Sequence, residues 1–91
     1  PVEEIYPMVT ESFYLAPTVT SDELTIYPVE GVAVTGHWRI NVVNVAGQVI
    51  EQSEADQFPY VLDVTNYSSG FYFLQIENKQ GGRQVMKWIR E

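Results

Sequence analysis

His37 is the only histidine in the sequence, and any chemistry it performs depends on a partner side chain. Zinc is held by about four nitrogen, sulfur or oxygen ligands, and a nucleophile needs a base beside it. The chain has no cysteine and no second imidazole to supply either arrangement. His37 also follows Gly36 in a predicted turn. We therefore interpret it as a solvated turn residue without a catalytic role.

Carboxylates form three groups that could in principle bind calcium or act as an acid–base pair. The groups are Glu3-Glu4, Asp22-Glu23 and Glu51-x-x-Glu54-x-Asp56. None has the spacing of a calcium loop, in which acidic or amide side chains alternate before a glycine. Acidic side chains are rarely buried, so we interpret the groups as solvated charge. The sequence thus predicts no enzyme, no metal site and no cofactor.

Aromatic side chains could instead form a platform for a sugar ring, with Trp38 or Trp88 as the candidates. The competing interpretation is that the aromatic residues form the core. Within residues 71–77, alternation sends Tyr72, Leu74 and Ile76 to one face of a strand, so that face must be buried. A sugar-binding module remains an alternative, which a fluorescence change with glycans would detect.

Basic residues are concentrated near the end of the sequence, although the net charge is −7. Lys79, Arg83, Lys87 and Arg90 make up all but one of the lysines and arginines. So few cations on an acidic domain argue against a nucleic-acid partner, which needs clustered basic residues to displace counterions. Lys87 interrupts an apolar row between Val85 and Ile89, and it is therefore either an edge guard or a recognition point.

The 91 residues suffice for one domain with a modest core, and no apolar run reaches the ~20 residues of a membrane-spanning helix. Short β-branched and aromatic runs between turn signals predict an all-β sandwich. Seven strands are predicted, at 24–28, 32–35, 38–45, 48–53, 60–65, 71–77 and 83–89. Residues 12–17 could add an eighth strand or belong to a preceding domain. We interpret residues 1–21 as an acidic connector or the end of a preceding domain. Residues 17–23 are expected to be mobile and sensitive to proteases, and a peptidase that removes the domain would cut in or near them. Because the sequence starts at Pro1 rather than at a methionine, we interpret it as a segment of a larger protein.

Two turns have the pattern Asn-x-x-Gly between strands, at Asn44 to Gly47 and at Asn78 to Gly81. The asparagine can accept backbone hydrogen bonds within the turn, and the glycine can take the left-handed conformation of a bulge. The sequence therefore predicts two β-hairpins at these positions. Gly70 is placed where a strand begins sharply.

Five pieces of sequence then occur in a characteristic order: LTIYP at 24–28, INVVNVAGQVI at 40–50, LDVT at 62–65, GFYFLQI at 70–76 and KWIR at 87–90. Together they resemble the C-terminal sorting domain of the bacterial type IX secretion system, over residues 22–91. The family's Tyr-Pro-Asn-Pro is replaced here by Tyr27-Pro28-Val29-Glu30.

The resemblance implies an Ig-like sandwich of about seven antiparallel strands that serves as an address rather than a catalyst. Its parent protein would pass through the periplasm and reach the outer-membrane surface or the medium. The implied partners are an outer-membrane translocon or shuttle protein, a sortase, and parent domains upstream. The alternative is a retained Ig-like structural or docking module of a surface protein or of the machinery itself. The residues predicted to be read by a receptor are Gly47, Gly70, Tyr72, Gly81, Lys87, Ile89 and Arg90.

Overall fold

The computed structural model describes residues 11–91, so Glu3-Glu4 and the first ten residues of the predicted connector lie outside it. Within this part the chain forms eight strands and no helix. The strands are β1 (Phe13–Ala16), β2 (Val19–Thr20), β3 (Glu23–Pro28), β4 (Trp38–Asn44), β5 (Val49–Ala55), β6 (Tyr60–Asp63), β7 (Gly70–Asn78) and β8 (Arg83–Arg90). The predicted all-β fold is confirmed.

Two sheets face each other across the core. The smaller sheet has the strand order β1-β3-β6, and the larger has the order β2-β8-β7-β4-β5. All pairs are antiparallel except β2 with β8, which is parallel. The chain changes sheet between β1 and β2, and the last strand lies beside β2. This arrangement, with the first strand divided between the sheets, is that of an Ig-like sandwich.

The core is formed by alternate residues of facing strands. On β7, Tyr72, Leu74 and Ile76 point inward, as the alternation predicts, and the side chains of Leu74 and Ile76 are fully buried. β3 and β4 contribute in the same way from either sheet. The buried apolar cluster contains Phe13, Leu15, Leu24, Ile26, Trp38, Ile40, Val42, Ala55, Leu62, Val64, Tyr72, Leu74, Ile76 and Trp88.

The predicted strand at 32–35 is wrong, because these residues join no sheet. Gly31 and Gly36, on either side, have φ values of 85° and 91°, so the chain enters and leaves the segment through turns rather than along a neighbouring strand. Val34 still packs against the core. The apolar alternation of this segment therefore reflects one buried contact and not strand pairing.

The described part of the predicted connector contributes to both sheets. β1 pairs with β3, and β2 pairs with β8. Residues 17–23 are held by hydrogen bonds from Ile89 N to Thr18 O (2.8 Å) and from Val64 N to Asp22 O (2.8 Å). The predicted mobile segment is therefore part of the sandwich. The division of the chain at residue 22 stays a prediction.

Both Asn-x-x-Gly hairpins are present as predicted. Asn44 Oδ1 accepts hydrogen bonds from the amides of Ala46 and Gln48, both at 3.0 Å. The amide of Gly47 donates to Asn44 O at 2.9 Å, and its φ is 85°. Asn78 makes the matching contacts in the β7–β8 turn, where Gly81 has φ 91°. The side chain of the asparagine thus replaces the missing backbone partners of each turn.

We expect Gly47→Ala to lower the free energy of unfolding by about 1–2 kcal/mol, because a Cβ strains a left-handed residue. Open space surrounds the position, so the cost arises from φ alone. Urea unfolding measures it. The control is Val45→Ala in the same turn, whose φ is not positive and whose side chain is exposed. Equal losses for the two variants would contradict this account of the turn.

Candidate recognition site

Strand pairing brings most of the predicted recognition residues to one end of the larger sheet. In the β7–β8 register, Gly70 lies opposite Arg90, Phe71 opposite Ile89 and Phe73 opposite Lys87. β4 pairs its last residue, Asn44, with Tyr72, so the turn that holds Gly47 is at this same end. We call it the Gly70 end. Gly81 lies in the turn at the opposite end of β7 and β8.

Tyr72 is a core residue at the Gly70 end. Its side chain is buried and its hydroxyl donates a hydrogen bond to Ser68 O at 2.7 Å. Its ring stacks on Trp88, with 4.9 Å between centroids. A hydroxyl bonded back to the chain before the strand is the tyrosine corner of Ig-like sandwiches. Tyr72 therefore supports the end of the sheet from inside, and its contact with a receptor stays a prediction.

Tyr67 extends this aromatic cluster toward β5. Its ring lies against both Tyr72 and Trp88, and its hydroxyl donates to a carboxylate oxygen of Glu51. Burial, with the Glu51 hydrogen bond as a smaller cause, raises the pKa of Tyr67 far above its usual range. The raised pKa favours the neutral hydroxyl that donates to Glu51. The cluster ties the loop after β6 to the larger sheet.

Arg90 makes several hydrogen bonds to backbone carbonyls at the Gly70 end. Nε donates to Val64 O and Nη2 to Thr65 O, both at 2.9 Å, and Nη1 bonds Glu91 O. The guanidinium thus joins the end of β8 to the loop after β6. We therefore expect Arg90 to contribute more to stability than an exposed ion pair, which contributes at most about 1 kcal/mol. Its recognition by a receptor stays a prediction.

Asp63 stabilises the loop after β6, whose carbonyl oxygens accept hydrogen bonds from Arg90. Its carboxylate accepts hydrogen bonds from the amide of Thr65 at 3.0 Å and from the Thr65 hydroxyl at 2.7 Å. These bonds lower the pKa of Asp63, because they favour the charged form. The ionised Asp63 fixes the turn whose carbonyl then accepts from Arg90.

Lys87 and Ile89 point outward, away from the smaller sheet. Val85, Lys87 and Ile89 share this face of β8, so the predicted apolar row interrupted by a lysine exists. Lys87 Nζ lies 4.9 Å from the centre of the Phe71 ring, a cation–π contact. Lys87 is exposed and Ile89 is half-buried.

Trp38 and Trp88 do not form a sugar platform. They are 6% and 1% exposed, and their rings pack on Phe13 and Tyr72 respectively. A sugar cannot stack on a face that the core already covers. The alternative of a sugar site on these residues is wrong.

At the opposite end of the sheet, His37 Nε2 lies 2.6 Å from Glu54 Oε1, and both side chains are more than half exposed. The hydrogen bond and the charge of His37 lower the pKa of Glu54. Arg39 and Lys79 line the same cavity of about 370 Å³. In residues 11–91 no group of three or more histidine and acidic side chains could hold a metal ion. His37 is thus exposed and has a carboxylate partner that the sequence did not predict.

Gln84 is a structural contact that sequence reasoning missed. Its side-chain oxygen accepts from the amides of Ser12 and Phe13 at 2.9 and 3.0 Å, and its Nε2 donates to Phe13 O at 2.7 Å. The amide thus acts like a piece of backbone that joins β1 to β8 across the two sheets. No local pattern reveals this, because the partners are about seventy positions apart in sequence.

Comparison with known proteins gives one informative result. Residues 16–91 match the model of a family described as "Secretion system C-terminal sorting domain". No curated protein matches the chain. Residues 11–91 contain no helix long and apolar enough to cross a membrane. The matched range begins at the end of β1 and includes every later strand.

Proposed function

The chain belongs to the family of secretion system C-terminal sorting domains, and we propose that it directs its parent protein through an outer-membrane type IX translocon. Family membership carries this proposal. The sorting role implies export to the outer membrane or cell surface. The domain acts as a non-catalytic address, which a translocon component or shuttle protein reads after the parent protein has entered the periplasm.

The position of the last strand supports a role as an address. β8 lies next to the edge of the larger sheet, covered only by the two residues of β2. Its outward residues Lys87 and Ile89 are accessible without unfolding. A receptor that serves many different parent proteins can depend only on the shared domain, and an outward-facing strand offers a constant surface.

We place sortase cleavage, where it occurs, before β1 rather than within residues 17–23. The chain from Ser12 onward is fixed by Gln84, and Thr18 is fixed by the amide of Ile89. A peptidase needs an extended segment that it can draw into its active site, and hydrogen-bonded strands resist this. Amino-terminal sequencing of the released domain tests the position. A new amino terminus after Thr20 would contradict it.

The sorting function is tested by fusing residues 1–91 to a periplasmic reporter in a bacterium that has the type IX system. We expect surface protease to digest the reporter in intact cells carrying the fusion, and to spare the reporter without the domain. A translocon-deficient strain is the control, in which the fusion should stay protected. The proposal fails if the intact domain leaves the reporter in the periplasm.

The alternative of a retained structural module makes a different prediction in the same experiment. Such a module would change the amount or the melting temperature of the fused reporter but not its location. Mass measurement of surface reporter also shows whether the domain has been removed. Surface reporter with the domain still attached would support retention.

A further inference from the structure

The outer face of the larger sheet, which points away from the smaller sheet, is apolar at the Gly70 end. Cross-strand pairs define two neighbouring rows on this face. The first row contains Val19, Ile89 and Phe71, and the second contains Lys87, Phe73, Val43 and Val49. We call these seven residues the apolar patch. They come from five different strands, so only the folded sheet assembles them.

The patch is exposed at some of its members and covered at others: Val43 is only 8% exposed, and Phe73 and Ile89 are half-buried. Val19, Phe71 and Val49 are 47%, 50% and 51% exposed, although residues of this size and polarity are normally covered. Contiguous exposed apolar area on a small protein marks an interaction surface more often than scattered single residues do. The described strands leave this face uncovered.

The same face becomes polar toward the other end. The next row has Gln75, Asn41 and Gln52 beside Val85, and the row beyond has Arg83, Glu77, Arg39 and Glu54. The outer face is therefore not apolar throughout, as a face buried in a larger core would be. Its apolar part is confined to the end where the last strand finishes.

Lys87 is the one charged member of the apolar patch. Its Nζ rests 4.9 Å from the centre of the Phe71 ring, so its position is defined by the patch itself. The chain as a whole has net charge −7. A positive group within an apolar surface selects a partner that places a negative group opposite it, and repels one that places a positive group there.

A second copy of this domain fits the patch poorly. Two patches related by a twofold axis would bring two Lys87 side chains into one apolar interface, and two bodies of charge −7 would repel each other. A partner of different composition avoids both costs. Because the patch lies on the outward side of β8, it fits a component of the export machinery that meets the folded domain.

We propose that the apolar patch is the docking surface for a protein of the export machinery that presents apolar side chains around a carboxylate, and that this carboxylate pairs with Lys87. The inference rests on the proposed sorting function. It adds the accessible side chains of Val19, Phe71, Phe73 and Val49 to the predicted recognition residues Lys87 and Ile89, and Val43 lies beneath them. Recognition is by a sheet face that spans five strands, and the last strand supplies only part of it.

The charge is tested with Lys87→Glu and its matched control Arg83→Glu in the reporter fusion. Both residues are exposed and lie on the outer face of β8, and each substitution replaces a positive charge with a negative one. Lys87→Glu places a carboxylate opposite the partner's carboxylate, so we expect at least about a tenfold loss of surface reporter, against less than about twofold for Arg83→Glu. Equal losses would overturn the pairing.

The apolar contact is tested with Val49→Ser and Val61→Ser. Both valines lie on edge strands and are half exposed, at 51% and 53%, but Val61 belongs to the smaller sheet. We expect Val49→Ser to reduce surface reporter several-fold and Val61→Ser to leave it unchanged. If the single variants Val49→Ser, Phe71→Ser and Lys87→Glu all keep the wild-type amount of surface reporter, the proposed docking surface is wrong.

Competition separates binding from later steps of export. Free residues 1–91, produced in the periplasm, should lower surface display of a wild-type fusion, and the free Lys87→Glu domain should not. If the wild-type fusion itself fails to reach the surface, the proposed function fails. A second outcome is that the wild-type fusion reaches the surface and the patch variants are displayed and compete as well as the wild type. In that case the sorting function stands and the proposed docking surface is wrong. Sedimentation of the free domain should give a monomer, and a dimer lost in Val49→Ser would instead assign the patch to a second copy.

Discussion

Trp88→Ala should lower the free energy of unfolding by about 3–5 kcal/mol, the largest loss expected from a single side chain of the last strand. Trp88 is 1% exposed and packs against Tyr67 and Tyr72. A domain of this size has a total stability of only about 5–15 kcal/mol, so much of it depends on this one ring. Urea unfolding followed by far-ultraviolet circular dichroism measures the change without relying on tryptophan fluorescence.

Val85→Ala is the matched control for this prediction. Val85 lies on the same strand but on the outer face, and it is half exposed. Its truncation should cost less than about 1 kcal/mol, because little buried area is lost. A loss for Trp88→Ala no larger than that for Val85→Ala would mean that the aromatic cluster does not hold the Gly70 end together.

The Trp88 result also decides how truncations of the chain are interpreted. Removing residues 87–91 deletes Trp88 along with Lys87 and Ile89. A truncated domain would therefore fail to reach the surface because it is unfolded, even if no receptor contact had been lost. Single outward substitutions, at Lys87 or Val49, keep the core and test recognition alone.

Arg90→Ala should lower the free energy of unfolding by about 2–3 kcal/mol, whereas Lys87→Ala should change it by less than about 1 kcal/mol. The Arg90 guanidinium donates to Val64 O and Thr65 O, and its loss leaves both carbonyls without that donor. Lys87 rests on the exposed ring of Phe71, where its charge is solvated. Thermal and urea unfolding of the two variants measure the difference.

Arg90→Lys serves as the intermediate variant. A lysine keeps the charge but cannot donate to two carbonyls in the geometry of a planar guanidinium, so it should recover only part of the stability. Equal melting temperatures for Arg90→Ala and the wild type would contradict the structural role of these hydrogen bonds. If Arg90→Ala is destabilised as expected, a variant that combines it with Lys87→Ala cannot test recognition. Any loss of surface display could then arise from unfolding.

Local features of this protein were determined by the sequence itself. The asparagine and glycine of each hairpin lie within four residues of each other, and the hydrogen bonds of the asparagine side chains are internal to the turns. The alternation of β7 likewise decides which side chains are buried, because successive residues of a strand point to opposite faces. The all-β class follows from these local rules. The five ordered pieces of sequence, through their resemblance to a known family, identified the sorting domain.

The tertiary structure alone decided where distant residues meet. The sequence contains the apolar alternation of residues 32–35, but the turns at Gly31 and Gly36 direct that segment away from any strand partner. It likewise shows Arg90 as one of several basic residues, but only the packing of β8 beside the loop after β6 supplies carbonyls for it. The apolar patch depends in the same way on the registers of five strands. Registers arise from long-range pairing and core packing, whose energies involve residues far apart in the chain, so local patterns cannot specify them.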